Sequence, residues 1–309
     1  MPAIEANELT RTFSSRRGEL VAVDHISLSV EPGERLAYIG PNGAGKSTSI
    51  KMLTGILHPS SGEASVLGLV PWRQRRQLAA RIGTLFGQRS QLWFELNALD
   101  GFKLLATIYK LDRSKAERRI DELGELLDAR DLFDQPVRSL SLGQRMRCEL
   151  AASMLHSPEV LFLDEPTIGL DLVAKQRFRD LVVRVNEEEA TTVLLTSHDV
   201  SDIEHVARRV IVINHGRIIF DDKVSALRRS ALHTKLVEVR FEEEPDVVDV
   251  KGAEVVKGSG SGFKLVVDTE VRPVREVLDD LLDNFHVVDI SVTDPPLEQV
   301  ISDIYEAKP

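Results

Sequence analysis

Gly40-Pro41-Asn42-Gly43-Ala44-Gly45-Lys46-Ser47 fills every fixed position of the pattern G-x-x-x-x-G-K-[ST]. It follows the short apolar run Leu36, Ala37, Tyr38 and Ile39, which is bounded by glycine and suits a buried strand. A helix is expected to begin near Gly45 and to run towards Leu53. Strand, glycine loop, helix is the setting in which this pattern holds phosphate. The glycines let backbone N–H groups face an anion without Cβ obstruction, and the helix N-terminus adds partial positive charge. Lys46 is expected to reach the β- and γ-phosphates, Ser47 to ligate Mg²⁺, and Thr48 to donate to the α-phosphate. The rival reading, a chance glycine turn before a helix, does not explain why motif and context agree.

Outward from this loop the chain alternates strands and helices. Before it, Leu28 and Val30 alternate with polar residues ahead of a Pro32-Gly33 turn, a strand and turn pattern. After it come two more buried runs, Val160 to Leu163 ending in Asp164-Glu165, and Val193 to Leu195 ending in Thr196-Ser197-His198. Buried strands separated by helical stretches predict a parallel sheet with helices on both faces. Ligands in such sheets lie beyond the carboxyl ends of the strands. That rule gathers the phosphate loop, Asp164, Glu165 and His198 at one place. Asp164 is expected to hold Mg²⁺, directly or through water, and Glu165 to polarise the attacking water. Adjacent carboxylates also suit a helix N-terminus, and the phosphate loop decides against that alternative.

A third motif, Leu140-Ser141-Leu142-Gly143-Gln144, makes the resemblance specific. Over roughly residues 1–225 the chain resembles the ATP-binding subunit of an ATP-binding-cassette (ABC) transporter, whose signature usually reads LSGGQ. The departure is at Leu142. Ser141 and Gln144 also form an S-x-x-Q capping box opening a helix with Met146, Leu150, Met154 and Leu155 on its apolar side. The resemblance implies that Ser141 and Gly143 contact the γ-phosphate bound by a second subunit, that Gln144 belongs to the same nucleotide-binding signature, and that Asp171 of Gly169-Leu170-Asp171 lies on a loop crossing the dimer interface. It further implies that Phe13 stacks on adenine, that Gln88 touches Mg²⁺ and the attacking water, and that His198 contacts the γ-phosphate. Structural roles compete for three of these: a core position for Phe13, a solvated loop for Gln88, a packing role for His198.

The remaining sequence sets the domain plan. The stretch from Gln88 to Ser139 reads as helical, with Ser114 and Glu117 as a capping box. A helical insertion of about residues 89–155 is expected. Val210 to Ile213 and Arg217 to Phe220 flank His215-Gly216, a hairpin signal. Arg73, Arg75, Arg76 and Arg81 read as a solvated helix face, and Cys148 as a small packing residue.

Of the 309 residues, 231–309 hold 8 Lys/Arg and 18 Asp/Glu, so this tail carries the whole net charge of −10. The balanced body has no basic excess, which disfavours nucleic-acid binding. In the tail, Leu236 to Phe241, Phe263 to Val267 and Val287 to Val292 read as strands, with Val247 to Val256 weaker. Val274 to Leu282 and Leu297 to Ile304 follow helical spacing, and Gly258 to Gly262 reads as a hairpin loop. The domains expected are therefore residues 1–230, binding ATP, and 231–309, an acidic α+β accessory domain. The fold expected is α/β, a phosphate-loop NTPase of ABC type with a parallel-sheet core, an antiparallel β subdomain and a helical insertion.

No apolar run approaches the ~18 residues needed to span a bilayer, and MPAIEANELTRTF lacks the basic-then-apolar order of a secretory signal. One cysteine cannot form an intramolecular disulfide framework. The resemblance then implies a cytoplasmic, peripheral subunit on the inner face of the cell membrane. It would work as a dimer with ATP at the interface, with ATP and Mg²⁺ as cofactors and an integral-membrane permease as partner. FGQRSQLWFEL around Gln88, LSLGQRMR and the C-terminal extension are similar to bacterial export systems, so efflux is the expected direction. An importer subunit is the first alternative. A non-transport ATPase acting on DNA or ribosomes is the second, and one phosphate loop without sustained heptads weighs against it.

Overall fold

The computed structural model describes residues 1–15, 18–87, 89–229, 234–245 and 247–307. In chain order the first elements are β1 (Ile4–Ser15), β2 (Gly18–Val30), β3 (Arg35–Ile39), α1 (Lys46–Leu53), β4 (Ser61–Val66), α2 (Arg75–Ala79) and β5 (Ile82–Phe86). Then come α3 (Ala98–Ile108), α4 (Arg113–Leu126), α5 (Leu142–Met154), β6 (Val160–Asp164), α6 (Leu172–Glu189) and β7 (Thr192–Ser197). α7 (Val200–Val206), β8 (Arg209–Asn214), β9 (Arg217–Lys223) and α8 (Val224–Arg229) follow. The last group is β10 (Thr234–Phe241), β11 (Ala253–Ser259), β12 (Gly262–Asp268), α9 (Val274–Asn284), β13 (Val287–Thr293) and α10 (Leu297–Ala307).

The chain divides into compact units of residues 1–224 and 225–308. In the first, a six-stranded sheet runs β5-β6-β7-β3-β8-β9, parallel except for the antiparallel β8–β9 hairpin. The register sets Leu36 beside Leu194 and Phe162 beside Leu194 on the neighbouring pair. A three-stranded antiparallel sheet, β2-β1-β4, covers one face.

Alternation along β6 explains why a continuous apolar run was required. Leu161 and Leu163 point into a core shared with α3, α4, α5 and α6, while Val160 and Phe162 point into a second core with α1 and the antiparallel sheet. Because side chains alternate across a strand, both faces of this sheet must be apolar. β3 is buried at all five positions for the same reason.

The second unit is a four-stranded antiparallel sheet, β11-β12-β10-β13. Its inner face, with Val237, Val239, Leu265 and Val267, packs on Val277 and Leu281 of α9. The β11–β12 hairpin turns at Gly260-Ser261, within the loop expected at 258–262. Only the end of the weak strand expected at 247–256 joins the sheet: Val248 and Val250 are instead buried loop plugs in that core.

Two local expectations need correction. The cap of α4 is Asp112, whose carboxylate accepts from the backbone of Ser114 and Lys115. The helix starts one residue ahead of Ser114, so Glu117 pairs with Arg113 at 3.0 Å instead of closing a capping box. Arg73, Arg75 and Arg76 are exposed as expected, but Arg81 lies beyond α2. It grips Glu159 through two nitrogens at 2.6 and 2.9 Å. The boundary expected at 230/231 lies outside the described residues.

Candidate nucleotide site

The loop after β3 takes its shape from two glycines. A Cβ on Gly40 would stand 2.2 Å from the Ile213 carbonyl oxygen, so the loop can lie against β8 only without a side chain. Gly45 has φ +112°, a backbone region L side chains rarely adopt, and a Cβ there would meet Ala22 O at 2.5 Å. Gly45 is the N-cap of α1 and makes no side-chain cap. The first N–H groups of that helix are therefore left for a ligand.

A cleft of about 500 Å³ opens at this point, lined by Asn42 to Thr48, Asp164 and Glu165, with Phe86, Arg89, Ile56 and Ala22 at its walls. Lys46 is 6% exposed. Its ammonium donates to Gly40 O at 2.6 Å and Pro41 O at 3.3 Å and lies 3.5 Å from Glu165 Oε1. The lysine is thus held against the loop's own carbonyls and faces the carboxylate that follows β6.

Asp164 is fixed by two hydroxyls. Ser47 Oγ donates to its Oδ1 at 3.0 Å, and Thr196 Oγ1 donates to the same oxygen at 2.7 Å. Thr196 also accepts from Glu165 N at 3.0 Å. Its orienting role was missed in the sequence, where Thr196 stands out only as a polar end to an apolar run. Glu165 adopts φ 53°, a left-handed conformation that disfavours a non-glycine residue. Its Oε2 lies 2.6 Å from His198 Nδ1. The β6 carboxylates and the β7 histidine therefore meet as the strand-end rule requires.

Among the described residues no cluster of three or more His, Cys, Asp or Glu is placed to hold a metal ion. The oxygen pair Ser47 and Asp164 nonetheless suits a hard cation that takes its remaining ligands from phosphate and water, as Mg²⁺ does. Gln88 lies outside the described residues.

The other expected residues lie elsewhere in the same unit. Phe13 is not among the lining residues. Its ring is half-exposed on β1, with the Arg11 guanidinium 4.6 Å from its centroid. Ser141 caps α5, accepting from Gln144 N at 3.3 Å while Gln144 Oε1 accepts from Ser141 N at 2.8 Å. Leu142 opens the helix without positive φ, so this position does not demand glycine. Asp171 caps α6, accepting from Ala174 N at 2.8 Å. Gly143 adjoins this cap, since a Cβ on it would meet the Ala174 methyl at 2.8 Å. The signature and the 169–171 loop thus form one surface, separate from the cleft's lining. Leu172 and Val173 stand open beside it, 78% and 69% exposed.

Known proteins resemble this chain in sequence and in fold. The family described as ABC transporter matches residues 23–168. A daunorubicin resistance ATP-binding protein of Streptomyces coeruleorubidus is 36% identical over 297 residues, covering 93% of this chain and 91% of that protein. The bacitracin transport ATP-binding protein of Bacillus licheniformis is 29% identical over 245 residues, 79% of this chain and 77% of its own length. Among solved structures, CbiO1 of Clostridium perfringens, part of an ABC transporter complex, superposes with a TM-score of 0.66 at 27% identity, covering 74% of this chain and 94% of that one. A dimeric ATP-binding cassette bound to ADP and phosphate superposes at 0.64 with 23% identity, covering 72% and 98%, a likeness of fold.

Proposed function

The chain belongs to the ATP-binding proteins of ABC transporters, and on that footing we propose that it drives export of an amphipathic compound through a separate permease. The family and its fold make it an ATP-hydrolysing transport subunit. The direction rests on one observation. Similarity to a daunorubicin resistance protein runs through both units of the chain, over 93% of its length.

In this reading Lys46 and the loop N–H groups bind the β- and γ-phosphates, and Ser47, Asp164 and Gln88 hold Mg²⁺. Mg²⁺ neutralises phosphate charge when bound. Glu165 takes the proton of the attacking water, and His198 stays against both the carboxylate and the γ-phosphate. Phe13 stacks on adenine. Two chains associate head to tail, so that Ser141, Gly143 and Gln144 of one meet the phosphate held by the other, with Asp171 at the seam. The separation of signature from cleft and the exposed Leu172 and Val173 support that arrangement.

No helix among the described residues is long and apolar enough to cross a membrane, so the pathway is assigned to the permease. Trp93 and Phe94, 41% and 46% exposed just past Gln88, form the contact with it at the inner membrane face. Residues 231–309 act as an accessory domain that tunes dimer stability or coupling. In inside-out vesicles carrying this chain and its permease, ATP should drive uptake of a fluorescent anthracycline. ATP-driven release from preloaded vesicles would reverse the assigned direction.

A further inference from the structure

Glu165 and His198 stand on two separate loops, each following a different strand, yet their side chains meet at 2.6 Å. Thr196 joins the ends of the two strands, its Oγ1 accepting from Glu165 N at 3.0 Å. A second tie, between the loops themselves, lies behind the cleft. Asp202 on α7 has no exposed surface. Its Oδ2 accepts from Thr167 Oγ1 at 2.7 Å and from Ser197 Oγ at 2.6 Å, and its Oδ1 accepts from Arg179 Nε at 2.6 Å. Thr167 is two residues past Glu165, and Ser197 immediately precedes His198. The network continues outward: Arg179 and Lys175 of α6 both reach Asp199 Oδ2, at 3.2 and 2.7 Å. Asp199 N donates to Ser197 Oγ at 2.9 Å.

A carboxylate at this depth is costly unless fully partnered. Here two partners, Thr167 and Ser197, adjoin the residues that must be aligned, and the third, Arg179, is on α6, the helix that Asp171 caps. The geometry points to Asp202 as a positioning residue for ATP hydrolysis, locking the loop that follows Glu165 to the loop that carries His198. The same lock fixes the start of the segment leading to Asp171. Asp202 is fully buried and does not line the cleft. The inference rests on the roles proposed for Glu165 and His198 and adds what places them.

Misplacing a catalytic group by ~1 Å costs about 10²-fold in rate. The test uses the full chain with Thr167→Val, Ser197→Ala, Asp202→Ala and Asp202→Asn, and Glu165→Gln as reference. Each is assayed for kcat and KM for ATP, normalised to the sites that bind ATP in calorimetry. Thr167→Val and Ser197→Ala should each lower kcat about 10-fold with KM within threefold, and Asp202→Ala about 100-fold. Asp202→Asn should recover most of that loss, because both hydroxyls can turn to accept from its amide while its oxygen keeps Arg179. An unchanged kcat per site in Thr167→Val and Ser197→Ala, with Glu165→Gln impaired, overturns the positioning role alone. Undiminished hydrolysis in Glu165→Gln overturns the catalytic reading beneath it. Should Asp202→Ala fail to fold, the two hydroxyl variants still decide.

Discussion

Replacing Glu165 by Gln exchanges one carboxylate oxygen for an amide and removes one charge at nearly constant volume. Loss of a positioned general base lowers rate about 10²–10⁴-fold, or about 3–5 kcal/mol of barrier at 1.36 kcal/mol per decade. Binding should move the other way. Glu165 Oε1 lies 3.5 Å from the Lys46 ammonium, and the two side chains are 17% and 6% exposed. At an effective dielectric of about 20 the gross attraction at that distance is about 5 kcal/mol, most of it offset by the desolvation both groups suffer. Incoming phosphate must compete with whatever remains, so removing the carboxylate cannot weaken ATP through Lys46. The expected phenotype is slow hydrolysis with equal or tighter ATP binding, and therefore accumulation of an ATP-closed dimer. Single-turnover hydrolysis gives the rate, calorimetry the affinity, and light scattering the mass. Hydrolysis within threefold of the parent would refute Glu165 as the base. A parallel loss of affinity and rate would refute the competition argument.

Lys46→Ala removes the charge-assisted phosphate contacts, each worth about 1.5–3 kcal/mol, so ATP affinity should fall at least ~100-fold with circular dichroism unchanged; a Kd within threefold of the parent would exclude the phosphate-loop assignment. Burial pushes the Cys148 thiol up to about 12, so a disulfide reagent at pH 8 should label the chain in urea and leave the native protein unlabelled; prompt native labelling would contradict the packing of α5. Glu149 of α5 is 3% exposed and accepts from the Ser90 hydroxyl and from Gln91 N at 2.9 Å, and burial holds its carboxyl above the usual 4.5 despite these bonds. A raised folded pKa means that its contribution to stability is full below the unfolded value and is lost as pH rises through the folded one. Urea unfolding of Glu149→Gln against the parent should therefore shift in favour of the Gln variant as pH rises above about 4.5, and a pH-independent difference would count against it. A chain truncated after Ser230 should keep its ATP affinity while dimerising or coupling less well, because the second unit has its own core; a folded truncation that cannot bind ATP would show that the domain division is wrong.

The parts of this fold that the amino-acid pattern reveals are those whose reason is local or periodic. β3, β6 and β7 stand out because both sides of a covered parallel sheet must be apolar, and Ser141 with Gln144 stands out because a capping box is complete within four residues. β4, Ser-Gly-Glu-Ala-Ser-Val, is hidden because only Ala64 and Val66 of it are buried. The cap of α4 is displaced because Asp112, Ser114 and Glu117 all have capping chemistry and only packing of Ala116, Ile120 and Leu123 sets the helix phase. The same division runs through the site. Lys46, Ser47, Asp164 and Glu165 lie in contiguous motifs whose residue types state their chemistry. Thr196 and Asp202 carry no such spacing. Asp202 sits in Val-Ser-Asp-Ile-Glu-His-Val, where an acidic residue early in a short helix reads as a solvated one favoured by the helix dipole. Its partners come from positions 167, 179 and 197, and only the tertiary fold makes them neighbours. Spacing can find groups that meet a ligand, but not groups whose partner is another loop. In this chain the two kinds adjoin at Ser197 and His198: one turns inward to Asp202 and the other outward to Glu165.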